Sequence, residues 1–397
     1  MLESIYIGMS GLTAYAKGLQ TISNNVANLN TAGFKTSTPG FADLYYGQQF
    51  ARGEPGAMNT MQFGSGVEYG YSSLNFAQGD LRVSNGQLDL AIQGKGFLTL
   101  LDGDTARYAR TGQFAVGNDG FIEDKATGLK LAALSASGSL GPISLAGKQI
   151  SPPQATTVIR FSDNLSTGST SFSIPDVDVF DANGGKHTLT IAFAPDSSIV
   201  PGRWQVTVSD ENNIPVQQGT LQFNGGIPEP GRDRIDFTLT SADAPPLTVT
   251  LDFSTGVTGF SAGSFSSLRV SDKDGYGTGT LSSMNVDVDG RLVLQYSNGQ
   301  TDELGTIALA SFANPQQLVQ QGNGLFDASH ASPPQCRTSN GAGVGQLLAG
   351  ATEASNVDLS TEFGQLILIQ RGFQASSQVI STANEMIMQL FQMRGQG

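Results

Sequence analysis

Hydrophobic residues follow a helical period at both ends of the chain and a two-residue period between them. Ile5, Met9, Leu12, Ala16, Leu19, Ile22, Val26 and Leu29 recur at alternating three- and four-residue spacing. Leu359, Leu366, Phe373, Ile380 and Ile387 stand seven apart, and Phe363 and Phe391 extend that face. Such a heptad pattern belongs to helices that pack along one another. It predicts helices over 1–32 and 356–397 that pair as a coiled coil. The candidate subunit-packing positions are Ile5, Leu12, Leu19, Val26, Leu359, Leu366, Phe373, Ile380 and Ile387. The same periodicity would also suit two helices of one ordinary core.

Local propensity bears on that choice. Gly8, Gly11 and Gly18 lie inside the N-terminal pattern. Each costs about 1 kcal/mol relative to alanine in a helix interior. Gln370, Ser377 and Asn384 occupy positions where a stable coiled coil prefers aliphatics. These segments therefore read as helices that need something packed on them.

From about residue 80 the period changes to two. Leu88, Leu90 and Ile92 alternate with other residues, Gly94-Lys95-Gly96 punctuates, and Asn118-Asp119-Gly120 marks a tight turn. Ser151-Pro152-Pro153 reads as a domain boundary. Beyond it, Leu189/Ile191/Phe193, Trp204/Val206/Val208, Ile235/Phe237/Leu239 and Leu247/Val249/Leu251/Phe253 form strand faces separated by turns such as Asn183-Gly184 and Asn224-Gly225. This predicts an antiparallel sandwich or barrel. Residues 256–267, rich in glycine and serine, lead out of it, and Val286/Val288 and Leu292/Leu294 resume the strand pattern.

Composition agrees with turn-rich β-structure: 50 glycines and 14% charged residues in 397. A net charge of −13 argues against nucleic acid and against an anionic membrane surface as partners. No stretch is long and apolar enough to insert directly in a membrane, and no cleaved leader is evident. The single cysteine, Cys336, excludes an intrachain disulfide and reads as an incidental thiol.

The search for chemistry yields no catalytic, cofactor-binding or metal-binding residues. His187 and His330 lack ligand spacing. Asn285 to Gly290 imitates the start of a calcium loop, but Tyr296 stands where the bidentate glutamate would be, so a hairpin is expected. Gly341-Ala342-Gly343-Val344-Gly345 echoes a phosphate loop without its Lys-Ser/Thr and is expected to be a flexible link. An enzyme would therefore have no candidate site.

Four ordered runs carry a resemblance. Ser10-Gly11-Leu12 with Ile22 to Lys35 (ISNNVANLNTAGFK) resembles the N-terminal signature of bacterial flagellar rod and hook proteins. Leu88 to Phe97 (LDLAIQGKGF) and Ala109 to Phe114 (ARTGQF) with Asn118-Asp119-Gly120 resemble two further motifs. Glu353 to Ser360 (EASNVDLS) with Gln370 to Gln374 completes the set. Within that axial family the resemblance is closest to the hook branch, because rod members are shorter and lack a large insertion. Val177 to Gly184, Asp274 to Gly279 and Ala310 to Pro315 resemble hook patterns, whereas 331–338 departs from them.

The resemblance implies a multidomain, mainly β chain with terminal α-helices that pair as a coiled coil and nested, discontinuous β-domains between them. The implied division is 1–32 with 356–397 (helical), 33–74 (connecting), 75–149 with 276–355 (inner β) and 150–275 (outer β). It further implies a homopolymer forming a flexible tubular joint that transmits torque from motor and rod to filament, in an extracellular appendage. Implied partners are the distal rod protein, the hook cap, the hook–filament junction protein and the flagellar type III export apparatus. A stiff distal rod protein and a secreted β-rich adhesin are the alternatives. Length and insertion disfavour the first, and the heptad ends disfavour the second.

Overall fold

The structure, a computed structural model, describes residues 2–50, 60–196, 200–240 and 244–394. Parts of the expected domains, at 1, 51–59, 197–199, 241–243 and 395–397, lie outside the described residues. Two long helices, α1 (Leu2–Ala27) and α2 (Leu359–Arg394), stand at the two ends of a chain otherwise built mainly of short strands. Helix α1 stops at Ala27, before Leu29, so the apolar period overruns the helix. The asparagines explain the stop. Asn28 Nδ2 donates to the Asn24 carbonyl, and the Thr31 hydroxyl donates to Asn28 Oδ1. Side chains that bond nearby backbone offer it an alternative to the helix.

The chain divides into two compact units. The first comprises 1–146, 284–293 and 303–397, and the second 147–283 and 294–302.

In the first unit α1 packs against α2 and against a hairpin in which Ser37–Asp43 pairs antiparallel with Val67–Leu74. The β body encloses Leu90, Ile92, Leu98, Leu100, Phe114, Ile122, Leu131, Ile307, Leu309 and Leu347 in one core. Strand Asp89–Gln93 pairs with Thr111–Val116 on one side and Gln346–Ala349 on the other. It is buried from Asp89 through Ile92, so both faces are covered. The Asn118-Asp119-Gly120 turn sets Ile122 opposite Val116, with Gly120 at φ 79°. Asn285 to Gly290 forms a hairpin turn, its Asp287 Oδ1 accepting from the amides of Asp289 and Arg291.

The glycine run 341–345 is not the flexible link that its composition suggests. Val344 N donates to the Gly341 carbonyl and Gly345 N to the Lys95 carbonyl. A Cβ at Gly345 would lie 1.9 Å from the Gln93 carbonyl oxygen, so backbone meets backbone there. Glycine serves close approach at that point.

The second unit closes one core from two five-stranded sheets. One is an antiparallel meander through Phe172–Phe180, Lys186–Pro195, Arg203–Ser209, Pro215–Asn224 and Ile227–Pro228. The other is not purely antiparallel as expected. Val158–Asn164 runs parallel to Leu247–Asp252 and antiparallel to Arg269–Lys273. A parallel neighbour requires a long crossover, and the meander supplies it. Trp204 and the stacked rings of Phe161 and Phe253, 4.4 Å apart, lie in this core.

Candidate assembly site: the terminal helix pair and its polar root

The three glycines that weaken α1 as an isolated helix form its contact face. Its buried residues are Gly8, Gly11, Ala14, Gly18, Ile22 and Asn25. Opposite them on α2 lie Glu362, Ile369, Ser376, Ile380 and Ala383. A Cβ at Gly8 would sit 2.6 Å from Ile380 Cγ1 and 3.2 Å from the Ser376 carbonyl oxygen. The absent side chains let the helix backbones approach closely. Tyr15 meets Gly372 in the reverse sense, since a Cβ there would lie 2.5 Å from the Tyr15 ring. On its other side α1 meets the hairpin: Tyr15 and Phe41 have ring centroids 5.4 Å apart, and Thr21 bonds the Tyr69 hydroxyl at 2.8 Å.

Gly8→Ala and Gly364→Ala should therefore have opposite signs. Alanine gains about 1 kcal/mol of helix propensity at either site. At Gly8 the collision with Ile380 and backbone costs about 1–3 kcal/mol, so a net loss is expected. At Gly364 nothing lies within 4 Å, so the gain stands. Thermal melting of the full-length chain, followed by helical circular dichroism, reads both; a rise in both melting temperatures would contradict the close contact.

The heptad positions are divided by the fold. Ile5, Leu12, Leu19, Val26, Leu366, Ile380 and Ile387 are half-buried within the chain. Leu359 and Phe373 remain 36% and 42% exposed, and Phe363 and Phe391 are more exposed still. The intrachain seam thus runs through a register of α2 offset from the predicted one, using Glu362, Ile369, Ser376 and Ala383. Sequence periodicity missed that register because two of its members are polar and one is alanine. The helix pair leaves Leu2, Tyr6, Met9, Leu368, Phe391 and Met393 at least half exposed.

Below the seam the chain crosses itself in a buried polar root. Lys35 and Glu353 have no exposed side-chain surface, and their Nζ and Oε1 atoms lie 2.5 Å apart. Arg110 Nε donates to Glu353 Oε2 at 2.9 Å. Gly79 N donates to Oε1 at 3.0 Å. Lys35 also donates to the Ala77 carbonyl, and Arg110 to the carbonyls of Ile92, Gly94 and Gly96. Gly94 and Gly96 adopt φ of 103° and 109°, a region open to glycine, and their carbonyls turn towards the guanidinium. Two cations share one carboxylate here, and burial pulls the Lys35 pKa down despite Glu353.

Amide side chains extend the root to the helices. Asn356 accepts from Thr36 N and donates to the carbonyls of Asn75 and Ala77. Asn25 accepts from Ser37 N and donates to the Ser37 carbonyl and to Glu362. Gly33 N bonds the Glu353 carbonyl at 2.8 Å. Asp358 starts α2 by accepting from Ser360 N and the Thr361 hydroxyl. The four sequence motifs therefore meet at one place. ISNNVANLNTAGFK supplies Asn25 and Lys35, LDLAIQGKGF the carbonyl cage, ARTGQF Arg110, and EASNVDLS Glu353, Asn356 and Asp358. Pattern reading did not single out the triad, though charged residues inside glycine-rich apolar motifs of a charge-poor chain were a usable signal.

Residues 5–35 match the flagella basal body rod protein family, and 348–393 the flagellar basal body rod FlgEFG protein C-terminal family. Residues 153–276 match the flagellar basal body protein FlaE D2 domain. The flagellar hook protein FlgE of Escherichia coli strain K12 is 31% identical across 97% of this chain and 98% of its own length. The chain belongs to the flagellar hook protein family. The hook protein FlgE of Salmonella typhimurium is likewise 31% identical over 97% of this chain and 98% of its own, and that of Treponema pallidum 29% over 98% of each. Hook proteins are structural, non-enzymatic components of the flagellum. The two terminal matches cover Asn25, Lys35, Glu353, Asn356 and Glu362, while Arg110 lies outside all three matched segments.

Proposed function

We propose that this hook-family chain is the repeating subunit of a flexible tube that carries torque from rod to filament. Near-full-length likeness to hook proteins carries the reading. The apolar surface left exposed by α1 and α2 supports it, because such patches mark interaction sites. In this reading the helix pairs of neighbouring copies form a coiled-coil inner tube. Leu359 and Phe373, exposed within one chain, are subunit-packing positions together with Ile5, Leu12, Leu19, Val26, Leu366, Ile380 and Ile387 at the edges of the seam. The subunit leaves the cell through the flagellar type III export apparatus. It adds beneath a hook cap, onto the distal rod protein, and is followed by the hook–filament junction protein. By the same reading 75–149 and 276–355 belong to an inner β layer, 150–275 to an outer one and 33–74 to the connection, while 276–283 and 294–302 cluster with the second compact unit.

The test is electron microscopy of cells whose only hook gene encodes this chain. Curved hooks are expected; straight rods or bare basal bodies would refute the reading. Replacing 150–275 by a short Gly/Ser linker should still give a tube, because the helices and inner β-domain remain, but one that no longer holds a curved shape. Failure of that exported chain to assemble would show that the outer domain is needed for polymerisation.

A further inference from the structure

The helix pair contains a second buried glutamate whose surroundings are the opposite of those of Glu353. Glu362, in the first turns of α2, is 5% exposed. Its two carboxyl oxygens each lie 3.1 Å from one atom, Asn25 Nδ2. That nitrogen also donates to the Ser37 carbonyl at 2.9 Å. An amide carries two hydrogens. One is committed to Ser37, so a single shared hydrogen remains for a carboxylate that could accept about four bonds. Among the described residues no cation pairs with the charge. The neighbour on α1 is the neutral Asn25, and on α2 itself the charged neighbour is Asp358, which repels. The hairpin root presents the Ser37 backbone, held by Asn25.

We propose that Glu362 is a proton-operated latch on the terminal helix pair: uptake of a proton strengthens the closed pair, and its loss loosens it. An anion that is buried, donor-poor and without a counter-ion favours its neutral form. Burial accordingly raises the Glu362 pKa above the ordinary 4.5, and Asp358 adds to the rise, against the Asn25 hydrogen bond. The sign follows from linkage. A group whose folded pKa is raised contributes stability that is complete below pH 4.5 and is lost as pH rises through the folded value. The proton acts where α1 and α2 enter the β body, so it biases the element on which assembly depends.

The inference rests on the subunit reading proposed above. The experiment compares isolated hooks of wild type and Glu362→Gln, following dissociation by light scattering from about pH 4 to about pH 8, a range that spans ordinary carboxyl titration. Glutamine imitates the protonated group. Glu362→Gln hooks should dissociate several-fold more slowly than wild type near neutral pH and at an equal rate at the acid end. An equal ratio at every pH, or faster dissociation near neutrality, would overturn the latch. Asn25→Asp, which sets two carboxyls face to face, should abolish hooks at neutral pH and recover them in acid. Loss that acid does not reverse would likewise overturn it. Absence of hooks from the wild-type chain itself would refute the subunit reading, and the latch with it.

Discussion

Glu353→Gln should destabilise the chain by about 3–5 kcal/mol, the range for breaking a buried ion pair by removing one partner. The substitution changes shape little, yet it leaves Lys35 and Arg110 facing each other without an anion in a site closed to solvent. Glutamine would also turn one donor-bearing end towards Lys35, Arg110 or Gly79 N, all of them donors. Lys35→Met should cost much less. It removes the surplus cation and leaves a one-to-one pair of Arg110 and Glu353. The direction of the Lys35 pKa supports the ranking. Burial lowers it below the ordinary 10.5, Glu353 opposes the shift, and Arg110 adds to it. With the folded pKa depressed, the unfolded chain holds the lysine proton more firmly. Stability therefore rises with pH from the folded value up to 10.5. Urea unfolding of wild type, Glu353→Gln and Lys35→Met at about pH 7 and about pH 10 reads both effects. A cost below about 1 kcal/mol for Glu353→Gln would mean that water or another donor rearrangement relieves the site.

Phe373→Asp should abolish assembly while leaving the single chain close to wild type. Phe373 is 42% exposed within one chain, and at the adjacent position it is Gly372 that packs under the Tyr15 ring. An aspartate at 373 thus remains solvated until a second copy covers it. In a packed subunit interface it would be an unpaired buried carboxylate, costing several kcal/mol at every subunit. The melting temperature of the purified chain should move little, as for a surface substitution within about 0.5 kcal/mol. Leu366→Asp is the contrast, because Leu366 is half-buried in the chain itself and should lower chain stability as well as assembly. Normal hooks on cells producing Phe373→Asp would remove that residue from the packing surface.

Much of the architecture was legible from residue order, and the helices show how far that extended. Their existence followed from three-four spacing, because amphipathic period is a local property of the chain, whereas the stop at Ala27 did not, because Leu29 continues the period beyond it. The alternating strands that build the second unit's core, such as Leu189/Ile191/Phe193 and Trp204/Val206/Val208, were legible for the same reason. Strands Phe172–Phe180 and Val158–Asn164 were not. The first is interrupted by a bulge between Ile174 and Val177 with Asp176 at φ 57°, and the second carries Asp163 at φ 77°. Such irregularities break the two-residue period on which strand reading depends. The four ordered motifs also carried the resemblance to flagellar rod and hook proteins, and chain length with the 150–275 insertion pointed to the hook branch.

Tertiary structure alone decided what those motifs do. Glycines 8, 11 and 18 count against a helix when propensity is summed along the chain, yet they face Ile380, Ser376 and Ile369 and make the helix contact. Their value depends on a partner more than three hundred positions away, which no local rule contains. The same holds for Lys35, Arg110 and Glu353, unremarkable as separate letters and a closed ion triad once folded. Periodicity is written in neighbouring residues, so the sequence by itself determined the two helices, the regular strands and the family. Burial, charge compensation and the hydrogen count at Glu362 arise only where distant segments meet, so they belong to the fold.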